Sequence, residues 1–350
     1  MACFPLPRED LEHVLAHTRD LWVEARGKSF FITGGTGFLG MWLLESFAHA
    51  NDILQLGMRA VVLTRDPAAF AQKAPHLVCR SDLEFVAGDV RDFPFPPGRF
   101  DYVIHGATSP SVGNEDGAAQ TMREVIIGGT RRVLEFSKPA EGEKFLYISS
   151  GAIYGRQPAE LSHLPEDFPG ADNRAASLTV YGESKLLAEQ DCIAYGRQTG
   201  CEVKIARCFA FVGPHLPLEA HYAVGNFIGD CLAGRPVRLS GDGTAVRSYL
   251  YAADLAVWLW TILFRGARGR PYNVGSADAL SMAEIACEVC EALGNTSPVV
   301  FGMKQLEAGS PNRYVPDITR AANELGLQKT VCFKDAVCRT ARWHKQFLND

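Results

Sequence analysis

No run of about 18 apolar residues occurs in this chain, so nothing in it is expected to span a membrane. It has no basic block either: 35 Lys and Arg against 40 Asp and Glu leave a net charge of −5, which offers no footprint for nucleic acid. Met1 to Asp10 contains no basic region leading into an apolar stretch, so export is not expected. Internal repeats and low-complexity linkers are absent. The ten cysteines are scattered through a chain large enough to fold without disulfides. Only Cys287 and Cys290 form a C-x-x-C, and no second pair stands at zinc-finger spacing. They fall inside a helical pattern, Ser281 to Leu293, opened by a Ser281/Glu284 capping box. Packing thiols, no metal, and a reduced, cytoplasmic protein are the expectation.

At 350 residues, with 47% hydrophobic and 21% charged, the chain has the length for a large core and the composition of an ordinary enzyme. Residues 10–26 read as an amphipathic helix able to dock through Leu11, Val14, Leu15, Leu21 and Trp22. Strand signals follow at 30–33, 60–64, 83–87, 102–104, 145–148 and 203–206, with helices at 38–48 and around 119–137 and 181–198. Short apolar strands separated by crossover helices predict an α/β fold, a doubly wound, mostly parallel Rossmann sheet. Past about residue 209 prolines and glycines become frequent, and further strands are expected near 236–239 and 271–274. We therefore expect an N-terminal helical extension (1–27), a dinucleotide-binding domain (28–208) and a smaller C-terminal substrate-binding lobe (209–350), some of whose segments return to the main sheet.

Ser29 to Gly40 reads as a strand turning sharply into a helix through Gly34, Gly37 and Gly40. Such a turn brings a pyrophosphate against the free N–H groups of a helix N-terminus, and Thr36, Phe38 and Leu39 would line it. Asp89, followed by Val90 after the third strand, has a carboxylate able to accept from the adenine amine. The second strand ends Thr64-Arg65-Asp66, where a site for the unphosphorylated cofactor usually carries Asp or Glu. The Arg65 fork suits a 2′-phosphate and favours NADP over NAD, although Asp66 stands close by. Tyr181 and Lys185 lie four residues apart on one helix face. The ammonium favours the phenolate and is able to hold the cofactor ribose, so Tyr181 is the candidate to exchange a proton with a sugar hydroxyl. Ser150 stands where it would hydrogen-bond the same oxygen.

In this order, these residues resemble the extended short-chain dehydrogenase/reductase family, in its NAD-dependent epimerase/dehydratase branch. The resemblance covers roughly residues 29–345. It includes Thr33 to Gly40, Gly88-Asp89, His105-Gly106-Ala107, Ser149-Ser150, Ile153-Tyr154-Gly155, Tyr181 to Lys185, Gly213-Pro214, Gly241-Asp242-Gly243, Arg247, Asp254, Tyr272 to Gly275, and Arg313 with Asp317. It implies an NAD(P)-dependent enzyme, with Ala107 added to the cofactor site. The implied substrate is a nucleoside-diphosphate sugar held in the second lobe, and the implied assembly is a homodimer built from the helices near 119–137 and 181–198. Arg247 and Arg313 are the candidate diphosphate ligands because a planar donor fork matches paired phosphoryl oxygens. Asn226 and Arg238 are further substrate candidates. Two positions depart from the common pattern: Ala210 and Ile126 stand where many members have Asn.

Nucleotide-sugar 4,6-dehydratases carry an Asp-Glu pair after the catalytic Ser or Thr, and decarboxylating members keep a Glu at the second position. This chain has Gly151-Ala152, neither able to transfer a proton, which disfavours both reactions. The 3,5-epimerase/reductases use a Cys just after the Ser and a later His; His215 follows Gly213-Pro214, but no Cys occupies 151 or 152. His215 stays open between a structural role and proton donation. A C4 epimerase, needing only Ser150, Tyr181 and Lys185, is ranked ahead of an NADPH-dependent 4-ketoreductase. A 4,6-dehydratase and a non-catalytic dinucleotide sensor rank lower.

Overall fold

The computed structural model describes residues 4–108, 117–137, 143–168, 178–219, 222–302 and 312–348. The chain folds into two compact units. The first comprises residues 1–155, 172–208 and 256–272, and the second 156–171, 209–255 and 273–350.

The first unit begins with α1 (Arg8–Thr18) and a 3₁₀ turn, Arg19–Ala25, which together replace the single helix expected over 10–26. Alternation follows: β1 (Ser29–Thr33), α2 (Phe38–Leu54), β2 (Arg59–Thr64), the short α3 (Pro67–Lys73) and α4 (Pro75–Val78), β3 (Leu83–Ala87) and β4 (Tyr102–His105). Next come α5 (Ala118–Arg123), α6 (Gly129–Phe136), β5 (Lys144–Ser150), α7 (Val180–Thr199) and β6 (Glu202–Cys208). A π turn, Glu124–Gly128, joins α5 to α6. The sheet order is Pro271–Val274, β6, β5, β4, β1, β2, β3, the doubly wound order in which the chain reverses direction beside β1.

Side chains alternate across β1 and divide its two aromatics between the faces of the sheet. Phe30 packs on Phe47 of α2, on Tyr102 and on Trp260, with ring centroids 5.2, 4.7 and 6.2 Å away. Phe31 meets Phe93 and Phe136 on the other side, at 5.6 and 4.6 Å. The N-terminal segment is fastened to the first face. Trp22 is fully buried 4.6 Å from Trp260, its indole donating to Thr18 Oγ1 at 3.0 Å, and the Leu6 amide donates to the buried Glu45 carboxylate at 2.6 Å.

The second unit is built from short strands and three packed helices, Ala223–Leu232, Met282–Leu293 and Phe333–Lys345. Val246–Arg247 pairs with Leu280–Ser281 on one side and Arg313–Tyr314 on the other; Val237–Arg238 pairs with Val299–Val300. The capping box of Met282–Leu293 forms as its sequence predicts. Cys290 is buried 3.9 Å from Cys231, while Cys287 is exposed at the edge of the same helix. Among the described residues, no group of three His, Cys, Asp or Glu is arranged to hold a metal, and no helix is long and apolar enough to cross a membrane.

Candidate active site

The turn after β1 is a close-packed backbone structure. Gly34 has φ +75°, and a Cβ on it would lie 2.5 Å from the Gly106 carbonyl carbon. A Cβ on Gly40 would lie 2.3 Å from the Gly34 carbonyl oxygen, so only glycine lets the first turn of α2 settle against the loop. Gly37 is the N-cap and no side chain caps the helix, which leaves the amides at Phe38 and Leu39 turned to the positive end of the helix dipole. This cradle fits a pyrophosphate. Ala107 lies beside it: its amide donates to Thr33 Oγ1 at 3.2 Å.

Beneath the turn runs a buried polar chain that sequence reading did not assemble. Thr33 Oγ1 and His105 Nδ1 are 2.6 Å apart, His105 Nε2 and Thr130 Oγ1 2.9 Å, and the Thr130 hydroxyl donates to the Ile126 carbonyl at 2.6 Å. Burial, then the Lys185 charge, push the His105 pKa down to about 3, so its imidazole is neutral. The chain ties β1 and β4 to α6, ending on the π turn in which Ile126 sits.

At the ends of β2 and β3 the candidate adenosine contacts are arranged unevenly. Arg91 grips Asp89 with two hydrogen bonds, 2.8 and 3.0 Å, and holds its carboxyl below the usual range. Val90 turns inward against Gly129. Arg65 is exposed, and Asp66 accepts from the Ala69 amide at 2.8 Å as the N-cap of α3.

Ser150 stands at the end of β5, and Tyr181 and Lys185 lie in the first turns of α7, which packs on β5 and on the turn that follows it. Ser150 closes β5 and caps the 3₁₀ turn Gly151–Tyr154, its Oγ accepting from the Ala152 amide at 3.2 Å; the hydroxyl proton is thereby left to donate. Thr179 caps α7 by accepting from the Gly182 amide at 3.1 Å, which starts the helix at Val180 and puts the tyrosine in its first turn. Lys185, only 2% exposed, donates through Nζ to the Ile148 carbonyl at 2.9 Å, and Nζ stands 5.9 Å from the Tyr181 ring centroid and 5.1 Å from that of Tyr147. Burial pushes its pKa down to about 8, although Cys208, Cys192 and Glu189 oppose the shift. Close approach of helix and turn depends on Gly182, where a Cβ would lie 2.4 Å from the Ala152 carbonyl oxygen.

Behind this set lies a second network. Arg207 on β6 pairs with Glu189 on α7 and donates to Tyr154 Oη at 2.9 Å; Ser149 donates to Glu189 Oε2 at 2.9 Å. Glu189 is one helical turn past Lys185, and Ser149 adjoins Ser150. A buried arginine in a strand covered on both faces needs such a partner, but its side-chain type does not say which residue supplies it.

The second unit holds the remaining candidates. Asn226 is half-buried on Ala223–Leu232, and Arg238 is exposed. Arg247 donates through Nη1 to the Val246 and Asn312 carbonyls, both at 2.8 Å, and desolvation lowers its pKa. Strand register pairs Arg247 with Tyr314 and Arg313 with Val246, so alternation along these parallel strands puts the two arginines on opposite faces of the small sheet. His215 has φ +69° and its ring stands 4.5 Å from that of Trp343.

A model of the NAD dependent epimerase/dehydratase family matches residues 30–275. UDP-glucuronic acid decarboxylase 1 of Arabidopsis thaliana is 27% identical over 321 residues, 91% of this chain and 70% of that protein. A dTDP-glucose 4,6-dehydratase of Streptomyces antibioticus is 26% identical over 322 residues, 91% and 92% of the two chains. Among solved structures, UDP-glucuronic acid 4-epimerase from Bacillus cereus in complex with NAD superposes with a TM-score of 0.74 at 23% identity, covering 91% of this chain and 99% of that one. The last likeness is one of fold.

Proposed function

The chain belongs to the NAD dependent epimerase/dehydratase family of oxidoreductase-type enzymes, and within it we propose that it epimerises a nucleoside-diphosphate sugar by transient oxidation at C4. The observation that carries this reading is the pairing of a complete Ser150–Tyr181–Lys185 set with a proton-inert Gly151-Ala152 immediately after it. Decarboxylation and 4,6-dehydration, the reactions named for the two relatives above, call for proton transfer that neither residue is able to perform. The nicotinamide cofactor supplies hydride acceptance and return.

Tyr181 takes the proton of the C4 hydroxyl as that carbon is oxidised, and gives it back on the return step. Lys185 favours the phenolate through its charge and also holds the cofactor ribose. Ser150 donates its free proton to the same sugar oxygen and fixes its direction. We assign Gly34, Thr36, Gly37, Phe38, Leu39, Gly40, Val90 and Ala107 to the cofactor, and Asn226, Arg238, Arg247 and Arg313 to the substrate. Asp89 keeps lone pairs for the adenine amine alongside Arg91.

A second reading, an NADPH-dependent 4-ketoreductase, is favoured by Thr64-Arg65 in place of an acidic strand end. We further propose a cytoplasmic homodimer joined through the helices near 119–137 and 181–198, where Leu187 is 40% exposed on α7.

Denaturing freshly purified protein and identifying the released nucleotide by mass spectrometry separates the two readings. Near-stoichiometric NAD(H) and interconversion of C4 epimers, without net change in the cofactor, support the epimerase. NADP(H), or an empty site preferring NADPH, with stoichiometric NADPH consumption on a 4-keto sugar nucleotide, replaces it with the ketoreductase. Turnover of neither substrate class overturns both.

A further inference from the structure

Two thiols of the second unit, unused by the proposed reaction, lie in contact. Cys231 stands in the last turn of Ala223–Leu232 and Cys290 in the last turn of Met282–Leu293, with their Sγ atoms 3.9 Å apart. Both are free, Cys290 buried and Cys231 half-buried. By sequence the partner of Cys290 would be Cys287, three residues away; the fold instead brings up Cys231, 59 positions away. The chain beyond each helix holds the two ends together: Asn295 Nδ2 donates to the Arg235 carbonyl and Ser297 Oγ to the Gly234 carbonyl, both at 3.1 Å. A disulfide sets its sulfurs about 2 Å apart, so roughly 2 Å remains to close. Both helices lead to candidate substrate residues. Ala223–Leu232 carries Asn226. Met282–Leu293 follows the strand Leu280–Ser281, which pairs with Val246–Arg247, and its Met282 and Ala283 amides donate to the Ala245 and Gly243 carbonyls at 2.8 and 3.0 Å.

We propose that Cys231 and Cys290 are a site of reversible oxidative modification, a disulfide that clamps the helix carrying Asn226 to the helix braced on the Arg247 strand and weakens nucleoside-diphosphate binding. Bond formation stands on the sulfur geometry; the effect on binding rests on the substrate assignment above. The oxidant is a peroxide. The Cys231 thiolate, at the more open position, attacks one peroxide oxygen; the O–O bond breaks and hydroxide leaves, taking up the thiol proton as water. The Cys290 sulfur then attacks the sulfenic sulfur; the S–O bond breaks, and the oxygen departs with the Cys290 proton as a second water. Together the sulfurs lose two electrons, which the peroxide gains. Burial, then the neighbouring Cys231, push the Cys290 pKa up to about 12, so this thiol keeps its proton until its neighbour has reacted. A dithiol reopens the bond by exchange.

The test treats the full chain with hydrogen peroxide, alkylates the remaining thiols and maps peptides by mass spectrometry without reduction. A linked Cys231–Cys290 peptide is expected in the wild type and in Cys287→Ser, and should be lost in Cys231→Ser. UDP, dTDP and 5′-ADP are then titrated calorimetrically into reduced and oxidised protein. Oxidation should weaken the better-bound of UDP and dTDP about threefold or more and leave 5′-ADP unchanged, and dithiothreitol should restore the affinity. Cys231→Ser should bind like the reduced wild type before and after peroxide. A Cys287–Cys290 link, or Cys231 ending as sulfinic acid with no link, overturns the proposal. So does a Cys231–Cys290 link that leaves the affinity unchanged, because the bond then only fastens two helices. If the reduced protein binds neither UDP nor dTDP, the substrate assignment falls and the effect on binding with it, while the linked peptide still decides whether the bond forms.

Discussion

Arg207 on β6 and Glu189 on α7 form a buried ion pair, with side chains 10% and 2% exposed, one helical turn beyond Lys185 and one strand away from Ser149. Tyr154 Oη and Ser149 Oγ complete it, so the carboxylate and the guanidinium are hydrogen-bonded as well as paired. Through Ser149 the Glu189 carboxylate joins β5 to α7, the two elements that carry the proposed catalytic set, and Arg207 ties the same carboxylate to β6.

Removing one partner should be costly, because the other charge stays buried. Glu189→Ala should lose roughly 3–5 kcal/mol of stability, and Glu189→Gln, which keeps the shape, should lose less. Urea unfolding of the two variants checks this. A Glu189→Ala protein as stable as wild type would show that the pair holds nothing in place.

Lys185 links stability to pH. Its folded pKa of about 8 lies below the ordinary 10.5 because burial penalises the ammonium. Below pH 8 folded and unfolded chains both carry the proton, and the folded state bears the full penalty. Between 8 and 10.5 the unfolded chain binds more protons, so stability rises with pH, by about 3 kcal/mol in total. Lys185→Met should lack that rise and be inactive. Unfolding free energies of both proteins across this window decide the point; parallel curves would refute the assignment.

Gly182→Ala places a Cβ against the Ala152 carbonyl oxygen and must push α7 away from the turn that Ser150 caps. Displacing Tyr181 by a fraction of an ångström should lower kcat about 10- to 100-fold. Dinucleotide affinity should change little. Steady-state kinetics alongside cofactor titration separates this outcome from general unfolding, which would remove both.

Gly40→Ala acts at the other end of the site. Its Cβ would meet the Gly34 carbonyl oxygen at 2.3 Å, and neither backbone is free to yield. We expect lost dinucleotide binding and a destabilisation of roughly 1–3 kcal/mol. Calorimetry with 5′-ADP and a thermal melt measure the two effects. Unchanged affinity would mean that the turn does not cradle the cofactor.

Local rules made much of this protein legible. The glycine spacing, the Y-x-x-x-K helix face and the Ser281/Glu284 capping box all depend on residues within a few positions of one another. Their geometry follows from helix period and turn chemistry alone. Apolar strands alternating with helices were enough to predict the doubly wound sheet, because such strands must be covered on both faces. The helices α3 and α4 escaped notice because each is under two turns long, too short for a periodic pattern.

Sequence by itself determined the parallel sheet and the glycine turn, and it put Tyr181 and Lys185 on one helix. Tertiary structure decided their surroundings, above all that Lys73 reaches Thr36 and that Arg207 finds Glu189. Each of the last two contacts joins residues 18 or more positions apart. Side-chain type limits which partners such a residue accepts. The choice among them is made when the sheet and its covering helices pack, and that packing depends on the whole chain.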